Sequence, residues 1–182
     1  MHARLPALVA VVMAALATAP AFASPPCDVV PPLDELSGGY DVTVGNALIF
    51  GDNRIVPLRA SETFAVTMEA QDTLLMMQAG PNVVVLEYAD AEDGTLDFKE
   101  LEDVLNIGQD DFPALMGCGL ERLPMLRGGG LANSQEGTPI EFEYELVIWD
   151  YSAGQRPEMM GTLSWSGGGI QSIRAVTISP RS

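Results

Sequence analysis

The sequence is poor in the residues on which common enzyme mechanisms depend. Its 182 residues include one histidine, His2, and one lysine, Lys99. His2 lies in an amino-terminal segment with the features of a cleaved signal peptide, so we expect the remaining chain to carry no histidine. A Ser-His-Asp relay, a Cys-His relay and a histidine-ligated zinc site are then excluded, and Schiff-base chemistry has a single candidate lysine.

The amino terminus predicts a secretory signal peptide over residues 1–23. Arg4 is followed by an uncharged apolar stretch, and Ala21 and Ala23 place small residues two apart before the expected cut. The stretch is shorter than the ~20 apolar residues that a transmembrane helix needs. We therefore expect a periplasmic or secreted protein with no integral membrane segment after cleavage. In it, 24–38 is an extended, proline-rich lead without regular structure, and 39–182 is one domain.

Cysteine is also scarce, with Cys27 and Cys118 the only two. In an exported chain an even number of cysteines indicates disulfide pairing. We predict one bond between them, which ties the lead to the middle of the domain.

Positive charge is also scarce. The chain has 9 Lys and Arg against 25 Asp and Glu, which gives a formal net charge of −16. Nucleic acids and anionic membrane surfaces attract basic proteins, so we expect neither as a partner. A small apolar molecule or a protein partner remains, and a cationic partner or a divalent metal would also suit the charge.

From Gly39 onward, apolar and polar residues alternate with the period of two that is typical of β-strands. Glycine-rich turn signals such as Gly167-Gly168-Gly169 separate the short strands. The clearest strand covers 140–148. It places the aromatic and aliphatic residues on one face and three glutamates (Glu141, Glu143 and Glu145) on the other, which we expect to face solvent.

These patterns predict a mainly β fold: a single antiparallel meander that closes into a small barrel, with a β-sandwich as the alternative. Closure is favoured because it removes exposed strand edges. Two segments differ from the strands. Apolar residues at three- and four-residue spacing predict one short acidic α-helix near 98–106, and 112–133, rich in Gly, Pro and Leu, predicts an irregular surface loop.

The segment 89–101 resembles the second half of an EF-hand calcium loop. The resemblance implies metal ligands at Asp93, Thr95, Asp97 and Glu100, with the glutamate binding through both oxygens. Two earlier ligand positions fall on alanines. Asp97 and Glu100 also suit the capped start of a helix that needs no metal, so calcium binding and a metal-free acidic helix both stay open.

The overall layout resembles the lipocalin-type barrels. Gly39-Tyr40 stands near the start of the first strand, where that family carries Gly-x-Trp, and Arg174 lies in the last strand, where a basic residue packs on that tryptophan. The resemblance implies a barrel for a small apolar ligand. The inward residues that would line its cavity are Phe64, Val66, Met68, Phe142, Tyr144, Leu146 and Trp165. The same residues equally suit a solid core, because small barrels are often packed shut.

These observations favour a non-catalytic binding protein. The alternative is a structural or interaction module whose acidic loop binds calcium or a cationic partner. A hydrolase with paired carboxylates, as in glycosidases, is the third hypothesis. Because no nucleophile–base pair is evident, we name no catalytic residue and no cofactor other than calcium.

Overall fold

The structure, a computed structural model, describes residues 27–51, 54–89, 109–133, 137 and 139–182. Within these residues the chain forms nine strands, one short helix and three 3₁₀ turns. The strands are β1 (Gly38–Gly51), β2 (Arg54–Leu58), β3 (Glu62–Gln71), β4 (Leu74–Ala79), β5 (Asn82–Ala89), β6 (Met125–Asn133), β7 (Pro139–Asp150), β8 (Glu158–Gly167) and β9 (Ile170–Pro180). The helix is α1 (Phe112–Met116), and the 3₁₀ turns cover Leu33–Leu36, Gln109–Asp111 and Leu120–Arg122. The predicted signal peptide and the predicted helix near 98–106 lie outside the described residues.

The strands close into an antiparallel barrel, which confirms the predicted fold class and excludes the sandwich. β1 pairs with β3, each strand from β3 to β8 pairs with the next, and β9 returns to pair with β1. β2 is an additional strand outside the closed ring of eight. An irregularity in the β1–β9 register between Val44 and Ala47 marks the change of partner, because β1 pairs with β3 up to Val44 and with β2 from Ala47 onward.

One apolar core fills much of the barrel. In β1 the buried residues Tyr40, Val42 and Val44 alternate with half-buried ones, and Val176 and Ile178 of the paired strand β9 join the same core. Burial of apolar area contributes about 25 cal/mol per Å², so this interior makes a large stabilising contribution to the fold.

A second apolar cluster lies on the outer face of the barrel. Leu146, Val147 and Ile148 are buried in succession, which a strand covered on one face alone does not show. Val147 belongs to a cluster with α1 and the residues that follow it, whereas its two neighbours belong to the inner core. The segment 109–124 therefore packs across the outside of β7, and the disulfide Cys27–Cys118 attaches the start of the domain to it.

The 3₁₀ turn at Leu33–Leu36 closes one end of the barrel. Leu36 is fully buried in the core, and the turn packs against β3 and β4. The Tyr88 hydroxyl donates a hydrogen bond to the carbonyl oxygen of Pro31 at 2.5 Å, and that of Tyr151 donates to Glu35 at 2.7 Å. The expectation that 24–38 lacks regular structure is wrong for this turn, because buried Leu36 gives the segment an apolar anchor.

The irregular loop expected over 112–133 is also wrong. The segment contains α1, a 3₁₀ turn and the whole of β6, which pairs with β5 on one side and β7 on the other. Three consecutive glycines (Gly128, Gly129 and Gly130) lie in this strand. Glycine is unfavourable in a strand interior unless another backbone approaches closely, and that is the situation here.

Candidate ligand-binding cavity

An apolar cavity of about 460 Å³ lies inside the barrel, beside the β4–β5 turn and the start of β7. Its walls come from six consecutive strands, β3 to β8. The lining residues are Phe64, Met77, Ala79, Asn82, Val84, Ala132, Ile140, Phe142, Tyr144, Leu163 and Trp165. A volume of this size falls in the range of ~300–1,000 Å³ that small-molecule sites occupy.

The structure divides the seven predicted cavity residues into two groups. Phe64, Phe142, Tyr144 and Trp165 line the cavity. Val66, Met68 and Leu146 do not line it, because they are almost fully buried in the solid core. The barrel is therefore packed in one part and hollow in another.

Sequence reasoning missed several cavity residues. Met77 and Val84 belong to short apolar runs in which no alternation assigns the faces, and Ala132 lies in the glycine-rich strand β6. Leu163 had a usable signal. It lies two residues before Trp165, and side chains two apart in a strand share one face, here the inward face that Leu163 shares with its partner Tyr144.

Trp165 and Phe142 face each other across β7 and β8 at the wall of the cavity. Phe142 also contacts Tyr144 edge-on, with ring centroids 6.3 Å apart and planes at 88°. Burial raises the pKa of the Tyr144 hydroxyl, so this wall is an apolar, aromatic surface with a neutral phenol at neutral pH.

Arg174 lies on the inward face of β9 next to this wall. It pairs with Leu163 on one side and with Ala47 on the other. Alternation along β9 places it on the same face as the buried residues Val176 and Ile178. The resemblance placed Arg174 against the aromatic residue at position 40, and this is wrong, because Tyr40 pairs with Pro180 at the other end of β9.

Arg156 packs on Tyr40 instead. Its guanidinium carbon lies 5.7 Å from the ring centroid, and its Nη1 donates to the carbonyl oxygen of Gly39 at 2.7 Å. Burial raises the pKa of Tyr40 to about 12, although the charge of Arg156 opposes the shift. Arg156 comes from the connection between β7 and β8, where no periodic pattern marks it.

The glutamates of β7 are not uniformly exposed as expected. Glu143 and Glu145 are half-buried on either side of Arg127, with Arg127 Nε 2.6 Å from Glu143 Oε1 and 3.7 Å from Glu145 Oε1. Burial raises the pKa of Glu145, the charge of Arg127 lowers it, and Glu143 raises it further. This pair lies on the outer face of the barrel, opposite the cavity wall.

Two further hollows have more polar walls than the cavity inside the barrel, although the first of them shares Phe142 and Trp165 with it. One, of about 590 Å³, has polar lining residues of the outer face that include Glu141, Glu143 and Ser164. The other, of about 650 Å³, lies between the β1–β2 hairpin and the β8–β9 turn. Neither combines a mostly apolar wall with lining residues from six strands, so the cavity inside the barrel is the better candidate site.

The EF-hand-like ligands Asp93, Thr95, Asp97 and Glu100 lie outside the described residues. Among the residues that the structure does describe, no group of three His, Cys, Asp or Glu side chains is arranged to hold a metal ion. Within the same part of the chain, no helix is long and apolar enough to cross a membrane.

Comparison with known proteins gives no relative for this chain: no family model, no curated protein and no solved structure matches it significantly. The barrel architecture is consistent with the lipocalin-like layout.

Proposed function

We propose that this protein is an exported, non-catalytic binding protein whose barrel takes up a small apolar molecule. The observation that carries the proposal is the apolar cavity of about 460 Å³ inside the barrel. Apolar cavities of this size bind apolar molecules because the apolar surfaces of protein and ligand both leave water. The lipocalin-like layout supports the same function by analogy of architecture.

The disulfide supports the exported location in this proposal. Cys27 and Cys118 are joined with an S–S distance of 2.04 Å. Structural disulfides persist in the periplasm and outside the cell, and they are rare in reducing compartments. The predicted signal peptide points to the same location.

The proposed binding mode uses the aromatic wall and the aliphatic residues opposite it. Phe142, Tyr144 and Trp165 offer flat surfaces, while Met77 and Val84 face them from β4 and β5. Met77 adds a flexible thioether that adapts to ligands of different shape. Such a site selects for apolar character and size more than for one defined compound.

The test is direct binding of an uncharged apolar fluorophore, N-phenyl-1-naphthylamine, to the exported protein, combined with native mass spectrometry of gently purified material. Ala132 lines the cavity and is half-buried, whereas its neighbour Leu131 is 80% exposed and points outward. We expect Ala132→Phe to fill the cavity and weaken probe binding at least about fivefold, as the loss of ~1 kcal/mol of apolar contact would.

Leu131→Phe is the matched control, since it introduces the same ring one residue away on the opposite face. It should bind the probe as the wild type does. Failure of the wild type to bind the probe, or equal effects of the two variants, would contradict the proposal.

A further inference from the structure

Arg174 is a charged side chain placed beside an apolar cavity. It lies on the inward face of β9, and its partners across the two neighbouring strands are Leu163 and Ala47. Leu163 itself lines the cavity. Arg174 is therefore the cross-strand neighbour of a residue of the proposed binding site, although it does not itself line the cavity.

The interior does not fully satisfy this guanidinium. Nη2 donates one long hydrogen bond, 3.3 Å, to the carbonyl oxygen of Gly45 at the irregularity in β1. Nε is buried and has no hydrogen-bond acceptor among the residues that the structure describes. Arginine presents five donors in a fixed fork, so several donors of Arg174 have no acceptor within the described part of the chain.

The chain also supplies no counterion. Between residues of the described ranges, the ion pairs within 4.0 Å involve Arg122, Arg127 and Arg181, and none involves Arg174. The absence is notable in a protein with 25 acidic residues against 9 basic ones. A partly buried cation without a counterion is unfavourable, and an anion that arrives with a ligand removes that penalty.

We propose that the ligand of the cavity is an amphipathic anion, with an apolar body in the cavity and a single carboxylate or phosphate group paired with Arg174. This inference rests on the proposed function and specifies its ligand class. Guanidinium and carboxylate or phosphate match in geometry and form two parallel charge-assisted hydrogen bonds. The apolar body then contacts Leu163, Tyr144 and Trp165 on the adjacent strands.

The test compares four ligands with the same twelve-carbon chain: dodecanoate, dodecyl phosphate, dodecanol and dodecylammonium, each below its micellar concentration. The chain has two tryptophans. Trp149 packs in the outer cluster and Trp165 lines the cavity, so a Trp149→Phe background makes the fluorescence report on the cavity alone. We expect at least one anion to bind about tenfold or more tightly than dodecanol, and dodecylammonium to bind most weakly.

Arg174→Gln should reduce the affinity for the preferred anion about ten- to a hundredfold and leave dodecanol within about twofold. Arg59→Gln, at an exposed position after β2, is the control and should change neither affinity. Which anion binds more tightly distinguishes a carboxylate from a phosphate ligand. The wild-type comparison of dodecanoate, dodecyl phosphate and dodecanol decides the question even if Arg174→Gln does not fold.

Equal binding of dodecanol and both anions would overturn the inference and leave the binding function standing. Equal loss of anion and alcohol affinity in Arg174→Gln would overturn it too, because a merely structural role of Arg174 predicts that pattern. If neither the four ligands nor the uncharged fluorophore binds the wild type, the proposed function itself fails.

Discussion

Arg156 covers the ring of Tyr40 at the closed end of the barrel, with its guanidinium carbon 5.7 Å from the ring centroid. The same side chain donates through Nη1 to the carbonyl oxygen of Gly39 and through Nη2 to that of Arg181. It therefore links the start of β1 to the residue that follows β9. A Cβ at position 38 would lie 2.7 Å from Nη1, so Gly38 leaves the space that the guanidinium occupies.

Replacement of Arg156 should weaken the closure of the barrel. Arg156→Met keeps much of the apolar stem and removes the cation–π contact and both hydrogen bonds, so we expect a loss of about 2–3 kcal/mol in the free energy of unfolding. Urea denaturation measures it. Arg59→Met, at an exposed position, should stay within ~0.5 kcal/mol of the wild type. Equal stability of the two variants would mean that Arg156 does not hold the barrel closed.

Removal of the Tyr40 hydroxyl should not destabilise the fold, in contrast to replacement of Arg156. The hydroxyl is buried and has no hydrogen-bond partner within the described part of the chain. Tyr40→Phe removes this unpaired polar group and keeps the ring under Arg156, so the variant should be as stable as the wild type or up to ~1 kcal/mol more stable. A clear loss of stability in thermal and urea unfolding would show that the hydroxyl has a partner.

The disulfide should stabilise the fold without shaping the cavity. Cys27 and Cys118 are 91 residues apart, and their bond lies in the outer cluster. For a loop of that length the chain-entropy model gives about 4–5 kcal/mol as an upper figure. The double variant Cys27→Ser/Cys118→Ser should lose ~2–5 kcal/mol in urea unfolding and still bind the uncharged fluorophore while it is folded. Loss of probe binding in the folded double variant would show that the outer cluster controls the cavity.

The glycines of β6 allow the strands to approach closely. A Cβ at Gly128 would lie 1.8 Å from the carbonyl oxygen of Val85, and one at Gly129 would lie 2.1 Å from that of Phe142. Both obstacles are backbone atoms, so side-chain movement cannot relieve them. We expect Gly128→Ala to cost more than ~3 kcal/mol or to prevent folding.

Gly51→Ala is the control for the glycine prediction. A Cβ there meets only the side chain of Ile170, at an ordinary contact distance of 3.6 Å. Its unfolding free energy should change by less than about 1 kcal/mol, in either direction. Circular dichroism and urea unfolding of both variants provide the comparison, and a stable Gly128→Ala barrel would contradict the packing described.

The glycine-rich strand β6 could not be predicted from the sequence. Alternation predicted β1 and β7 well, because each buries one long face with large side chains. The sequence of β6, Met-Leu-Arg-Gly-Gly-Gly-Leu-Ala-Asn, has no such alternation. Its glycines are required by the close approach of the backbones of β5 and β7. Both strands are distant from these glycines in sequence, so no local pattern predicts β6.

The sequence predicts which side chains point into the barrel, but not at which level along the barrel axis the interior is empty. Phe142, Tyr144 and Leu146 share one face of β7, yet Phe142 and Tyr144 line the cavity while Leu146 is part of the packed core. Whether the interior is filled at a given level depends on the stagger of all the strands. The register also decided the place of Arg174, which pairs with Ala47 and lies far along β9 from the partner of Tyr40.

The raised pKa of Glu145 makes the stability of the fold depend on pH. Burial raises this pKa above the ordinary value of 4.5, Arg127 lowers it and Glu143 raises it, with a net upward shift. The folded state therefore binds this proton more tightly than the unfolded state does. Its contribution to stability is fully present below about pH 4 and is lost as the pH rises through the folded pKa.

Glu145→Gln should consequently be more stable than the wild type at pH 7, and the difference should shrink toward zero below about pH 4, where the carboxyl is protonated. Arg127 keeps its closer contact with Glu143 in this variant, so the substitution leaves no unpaired cation. Glu141→Gln, four residues away on the same face of β7 and at an exposed position, is the matched control and should show no such pH-dependent gain. Thermal unfolding of the wild type and the two variants between pH 3.5 and 8, all at one ionic strength, gives the test. If Glu145→Gln is less stable than the wild type at pH 7, then the attraction of Arg127 outweighs the burial of the carboxylate, and the outer face of β7 is held together by a three-membered ion cluster.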